Sequence, residues 1–254
     1  MRSQLWGLYL REVLRTFRNP FVLLLTVVQP FMWLAFFGSG FSQFAKSAAS
    51  AFGTSNYIAF LLPGVLSTSM LSVGMFGSMS TIQDKRFGFM KRILITPTSK
   101  EVIFLSKALG AATRGLVQIP VMIAAAVAFG VVFTLSPLEW VVWVLALLFG
   151  AIGFSSMFLA ITASSTDWQT PGVVSNFITM PLMFSSAALY PSAGFPVWMQ
   201  WISKFNPISY SAEFGRSLVL GGGIVWLDLA YLAIFAGVML TTGYFVSARW
   251  LRVE

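Results

Sequence analysis

Long apolar runs separated by short polar or basic stretches make up most of the chain, and they recur near the ~20 residues of helix that the hydrocarbon core of a bilayer demands. They predict membrane spans over 21–38, 57–82, 102–133, 140–163, 171–190 and 226–247. Asn19-Pro20 offers a capping residue followed by proline at the first helical position, which opens the first span, and Gln29-Pro30 is expected to kink it. The second run is interrupted by Pro63-Gly64 and dotted with Ser and Gly, small residues that let membrane helices approach closely. At the head of the third, Thr98-Ser99-Lys100-Glu101 predicts a capping box in which Thr98 and Glu101 satisfy each other's free backbone N–H groups. A tight turn at Leu135-Ser136-Pro137 leads into the fourth run, and a Ser/Thr-rich turn through Asp167 leads into the fifth.

Two segments are helical in pattern without being spans. Over 2–18, Trp6, Leu10, Val13, Leu14 and Phe17 share one face while Arg11, Arg15 and Arg18 fall on its flank, which describes an amphipathic helix lying in the membrane interface. A signal peptide would pass from a short basic region straight into an apolar one, so this helix is expected to be retained. The stretch 191–220 is too apolar for an ordinary loop and too broken by Gly194, Pro196, Asn206-Pro207 and Gly215 for a span. Two short helices that dip into the membrane and return fit it, provided protein shields their ends.

Composition agrees with a membrane solvent. Charged residues are only 9% and the mean hydropathy is +0.81, against roughly 25% charge in soluble domains. A formal charge of +8 suggests nucleic acid in a soluble chain, but here the basic residues are distributed by side. Arg2, Arg11, Arg15, Arg18, Lys85, Arg86, Lys91, Arg92, Lys100, Lys107, Arg249 and Arg252 fall on one side, and Lys46, Lys204 and Arg216 on the other. The positive-inside rule then places both termini and the 83–107 loop in the cytoplasm. The expected fold is therefore all-α, a single transmembrane domain over 1–254 with six spans, an N-terminal interfacial helix, and a re-entrant helical pair between spans five and six.

The chemistry is limited by what the chain lacks. It has no cysteine and no histidine, which removes thiolate metal sites, the commonest metal ligand and the usual general base. An intramembrane hydrolase fails for the same reason, since no pair of mid-span aspartates replaces them. An ion- or proton-coupled carrier, the alternative transport reading, would place carboxylates at mid-membrane, whereas Asp84, Asp167 and Asp228 lie at span ends. Arg114 sits inside the third span, where it either serves function or snorkels to the interface. Glu213 and Arg216, at i and i+3, are placed to pair.

The loop Gln83-Asp84-Lys85-Arg86-Phe87-Gly88-Phe89-Met90-Lys91-Arg92-Ile93-Leu94-Ile95-Thr96-Pro97 is both basic and greasy. It reads either as a loop whose apolar residues touch lipid or as a docking helix, with Phe89, Met90, Ile93 and Leu94 as a stripe for a partner's groove. Gln29, Gln118, Asn176, Phe177, Phe184 and Tyr190 are candidates for a substrate path, because amphiphiles are held by mostly apolar, aromatic walls. Trp198 and Trp201 mark a membrane interface.

Taken in order, these segments resemble the membrane subunits of type-2 ABC exporters, particularly the daunorubicin-resistance and nodulation-export branch. The resemblance rests on Arg18-Asn19-Pro20, Tyr57 with Leu62-Pro63-Gly64, and the run Asp84 to Arg92 followed by Thr96-Pro97 and Lys107. Late in the chain it continues through Ser185-Ser186-Ala187, Tyr190-Pro191, Pro196 to Gln200, Asn206 to Tyr210, and Arg216 with Gly221. It implies that Asp84, Lys85, Arg86, Phe87, Gly88, Phe89, Met90, Lys91, Arg92 and Pro97 belong to a coupling helix seated on an ATPase subunit. It also implies an outer gate built from Pro191, Pro196, Asn206, Pro207, Tyr210, Glu213 and Arg216 in re-entrant helices. The chain has no G-x-x-x-x-G-K-[ST] run, so ATP and Mg²⁺ are expected on a separate ATPase, two copies per complex, with a second permease subunit completing the pore. The cargo implied is a hydrophobic or amphiphilic small molecule, and the location a prokaryotic inner membrane. Membrane lipid is an expected partner and nucleic acid is not.

Overall fold

Helices follow the apolar runs. The computed structural model describes residues 2–47, 52–54, 56–165 and 169–250, and all regular structure among them is helical. In chain order the helices are α1 (Arg2–Phe17), α2 (Pro20–Gly40), α3 (Ser42–Ser47), α4 (Tyr57–Arg86), α5 (Phe89–Leu94) and α6 (Lys100–Ala128). They continue as α7 (Pro137–Ser164), α8 (Gln169–Phe184), α9 (Val197–Ser203), α10 (Pro207–Val219) and α11 (Trp226–Trp250), with a 3₁₀ turn at Ser192–Gly194. The turn through Asp167, the cation Arg252 and the side chains of Lys46 and Leu94 lie outside the described residues.

Among the described residues five helices, α2, α4, α6, α7 and α11, are long and apolar enough to cross a membrane. The expected span over 171–190 is shorter in the structure: α8 has 16 residues, about 24 Å at helical rise, and 185–190 is unwound. The third expected span, 102–133, begins earlier and ends at Ala128, because Phe129 caps the helix and Gly130 takes a positive φ. Its N-cap is Ser99, whose side chain accepts from the Val102 N–H; Thr98 instead hydrogen-bonds Thr96 and Glu101 accepts from Tyr244, so the predicted box does not form. A capping box does open α7, where Ser136 and Glu139 satisfy each other.

One helix organises the rest. At 30 residues, α4 is about 45 Å long, roughly 15 Å more than the hydrocarbon core, and most of its residues are buried. It packs against α6, α7 and α10, while α11 lies along α7. Small residues make this enclosure possible: a Cβ on Gly74 would sit 2.7 Å from the Ser155 nitrogen, and one on Gly64 would overlap the Ala188 carbonyl. Trp143, Phe154 and Phe158 of α7 and Phe214 of α10 fill the space around it. Ser67 donates to Ser211 at 2.8 Å, and Gln118 donates to Ser69 at 2.8 Å, so polar stitches tie α4 to α10 and α6.

The unwound segment after α8 is buried, and backbone polar groups with no water nearby must find partners within the protein. Side chains at the start of α10 and from α4 supply them. Ser209 Oγ accepts from the Ala187 N–H at 3.1 Å, Tyr57 donates to the Leu189 carbonyl at 2.8 Å, and Asn206 donates to the Leu182 carbonyl in the last turn of α8 at 2.6 Å. Arg216 spans the gap, donating to the carbonyls of Ala188 at 2.5 Å and Phe60 at 2.9 Å with its guanidinium stacked on the Phe60 ring. The expected Glu213–Arg216 ion pair is therefore replaced: Glu213 points outward and accepts from Ser192, because the carbonyls of Ala188 and Phe60 take the donors of Arg216.

Candidate coupling site at the basic end of the bundle

The basic loop folds as a continuation of α4 to Arg86, a left-handed turn at Gly88 with φ +70°, and the six-residue helix α5. A side chain would strain that turn, so glycine here sets the angle between the two helices. Helix α5 is anchored by its own greasy residues. Met90 and Ile93 are buried against Ile103 of α6, with Leu8 of α1 beside them. These two members of the predicted docking stripe thus face the chain itself, because α5 is too short to stay in place without an apolar anchor. The outward face consists of Arg86, Phe87, Lys91, Arg92, Ile95 and Pro97, with Phe87 and Ile95 77% and 78% exposed.

Asp84, expected in the docking surface, is 3% exposed and sits at the centre of an ionic cluster. Arg11 donates to both its oxygens, at 2.9 and 3.2 Å, Arg15 donates to Oδ1 at 3.3 Å, and Lys107 donates to Oδ2 at 2.6 Å. Glu12 is the second carboxylate, accepting from Lys107 at 3.2 Å and Arg11 at 3.0 Å. Arg15 also reaches Gln83, and Ser80 accepts from Lys107 at 3.3 Å. Burial alone would lower the affinity of Arg11 for its proton, but its hydrogen bond to Asp84 and the charges of Asp84 and Glu12 outweigh that and raise its pKa. Arg114 joins the same contact by donating to Thr16 at 3.1 Å.

Helix α1 is consequently oriented with its charges inward. Glu12 and Thr16 are buried against α6, where Gly110 leaves room for the Glu12 side chain, while Trp6, Leu10, Leu14 and Phe17 point away from the protein. The sequence shows the two faces of α1 but misses the role of Glu12. The available signal is that Glu12 and Asp84 are single acids in otherwise basic segments, which suggests mutual cationic partners. Other cations at this end close helix termini. Lys85 donates to the carbonyls of Ala163 at 2.6 Å and Ser165 at 3.1 Å at the end of α7, and Lys100 donates to the Ala248 carbonyl of α11 at 2.9 Å.

The site is thus a short basic helix flanked by two exposed apolar knobs, mounted where α4 and α6 meet and braced by α1. The pattern of the ABC-2 type transporter family matches residues 3–220, most of the chain. The chain belongs to the ABC-2 type transporter family. Among relatives of this ABC-2 chain, the ycf38 protein of Cyanophora paradoxa is 28% identical over 216 residues, covering 83% of this chain and 72% of that protein. The daunorubicin resistance ABC transporter permease protein DrrB1 of Streptomyces coeruleorubidus is 24% identical, covering 87% and 76%. Nodulation protein J of Rhizobium meliloti is 25% identical, covering 78% and 74%. As an ABC-2 permease the chain is a multi-pass membrane subunit that works with an ABC ATPase subunit.

The remaining predicted residues divide by exposure. Gln118 is fully buried between α6 and α4, bonded to Ser69, and so lines no open surface. Gln29 is exposed on α2, and Asn176, Phe177 and Phe184 are exposed along α8 with Val173 and Met180. Tyr190 meets Phe195 edge-on and donates to the Phe184 carbonyl at 3.1 Å. At the far end Pro191 and Pro196 precede the 3₁₀ turn and α9, Asn206 caps α10 with Pro207 at its first position, and Tyr210 stacks on Tyr231 at 3.9 Å.

Proposed function

We propose that this ABC-2 chain is the permease half of an exporter of a hydrophobic or amphiphilic small molecule, working as two permease and two ATPase subunits. The observation that carries the reading is the outward face of the α4–α5 elbow, where Phe87 and Ile95, on either side of α5, stand exposed among Arg86, Lys91 and Arg92 on a segment tied to two long helices. Such a face suits an ATPase groove with an apolar floor and an acidic rim. ATP and its Mg²⁺ would be held by that partner. The weight of positive charge favours a cytoplasmic position for this end in a prokaryotic inner membrane, with α8 and the unwound 185–190 completing a sixth crossing. Helices α9 and α10 then stand at the outer face as the gate.

A second permease copy is supported by polar side chains on greasy faces. Gln29 and Asn176 would each be costly to leave against hydrocarbon, so contact with another subunit or a water-lined path relieves them. The cargo class follows the relative named for daunorubicin resistance and the aromatic side chains Phe177 and Phe184 beside Asn176.

The test is a tagged chain purified from membranes together with its ATPase. Burying a Phe or Ile side chain contributes about 1.5–3 kcal/mol, so Phe87→Ala with Ile95→Glu should reduce the co-purified ATPase more than about tenfold. Undiminished ATPase in that variant would overturn the assignment, as would maleimide labelling of Lys91→Cys from outside intact cells.

A further inference from the structure

Helix α5 has three attachments: the Gly88 turn, the apolar anchor of Met90 and Ile93, and a contact from a segment more than 70 positions earlier in the chain. That contact is Arg11, whose guanidinium carbon lies 3.6 Å from the centroid of the Phe89 ring while its nitrogens grip Asp84. One planar group therefore touches the last turn of α4 and the first residue of α5, the two elements on either side of Gly88. A flat guanidinium can stack and donate in two directions at once, which a lysine ammonium cannot. Because Arg11 is itself held by Glu12 and its neighbour Arg15 also reaches Asp84, the angle at Gly88 is referred to α1 and, through Lys107, to α6.

We infer that Arg11 is a positioning residue that sets the tilt of α5 on the bundle, making α1 a working part of the transmission between ATPase and membrane helices. This rests on α5 being the ATPase-docking element, but the positioning itself can be measured without the ATPase. The glycine hinge supplies the freedom that Arg11 removes: α5 carries no side-chain cap, so its seat depends on tertiary contacts. The exposed apolar face of α1 holds that helix at the membrane surface, so force applied to α5 would be carried to the lipid boundary as well as into α4 and α6.

The chain contains no cysteine, which makes paired labelling clean. Spin labels at Lys91→Cys and Leu138→Cys, read by pulsed electron double resonance on the permease alone in lipid nanodiscs, report the seat of α5 along the bundle. A second pair, Leu138→Cys with Val246→Cys, reports α7 against α11 and shows that each variant is folded. Arg11→Lys and Phe89→Leu should each lower the ratio of seated to unseated α5 about fivefold, the double variant doing little more because both remove one contact. The control pair should not change. An unaltered Lys91 distance in both variants, with the control pair intact, would overturn the inference. In the complex with ATPase, Arg11→Lys should retain the bound ATPase while slowing ATP turnover about fivefold, and wild-type turnover would also overturn it. Failure of any ATPase to bind the unmutated chain would instead remove the docking assignment and leave the distance result standing.

Discussion

Replacing Asp84 by asparagine tests whether the ionic cluster holds the basic end together. The substitution keeps the shape of the side chain, but three cations, Arg11, Arg15 and Lys107, then face Glu12 alone, and an amide N–H₂ points toward a donor. Asp84 and Lys107 are nearly inaccessible, so water cannot replace the lost charge at little cost. Removing one partner of such a buried group costs about 3–5 kcal/mol. For a chain of this size that corresponds to a fall in melting temperature of about 10 °C or more. Thermal unfolding in detergent, followed by the fluorescence of the nine tryptophans, measures it. The decisive variant is the double one. Asp84→Asn leaves two unmatched cations, but adding Lys107→Met restores the single excess of the native cluster. The pair should therefore be more stable than the sum of the single effects by about 2 kcal/mol. A loss below about 1 kcal/mol in Asp84→Asn, or strict additivity in the double variant, would refute the reasoning.

Two glycine substitutions should differ in sign although both place alanine in a helix interior. Gly237→Ala meets nothing within 4 Å and should gain up to about 1 kcal/mol of helix propensity, whereas Gly64→Ala collides with a backbone carbonyl and should lose about 3 kcal/mol, both read by thermal unfolding. Arg216→Lys cannot serve the carbonyls of Phe60 and Ala188 while stacking on a ring. It should cost about 2–3 kcal/mol and make Ala187→Cys reactive to maleimide, and continued protection of that cysteine would contradict the assigned role.

Much of the architecture was legible because hydrocarbon imposes a length. The runs beginning at Pro20, Tyr57, Pro137 and Trp226 became helices at those positions or within three residues of the predicted start. What the sequence withheld were choices between equivalent partners. Arg216 has Glu213 at helical spacing, yet it bonds the Ala188 carbonyl, exposed by an unwinding that no local pattern announces, and the Phe60 carbonyl of α4. Thr98 and Ser99 are adjacent hydroxyls competing to cap α6, and a one-residue difference in backbone geometry selects Ser99. Around α5 apolar residues occur both within the helix and at its two ends, so periodicity alone could not say that Met90 and Ile93 turn inward while the flanking Phe87 and Ile95 remain outside. Phe177, 79% exposed, illustrates the same limit on α8, where a side chain facing lipid and one facing a second subunit have identical sequence signatures.

The inward charges of α1 have a consequence for biosynthesis. Asp84 follows Arg11 by 73 positions and Lys107 follows Glu12 by 95, so the ribosome delivers α1 long before the groups that neutralise it. During that interval its arginines have only Glu12, water and lipid headgroups as company, while Trp6, Leu10, Leu14 and Phe17 can already settle into the membrane surface. Closure of the cluster then becomes a late step in maturation, and a nascent chain stopped before Asp84 would keep this first helix afloat beside an unfinished bundle.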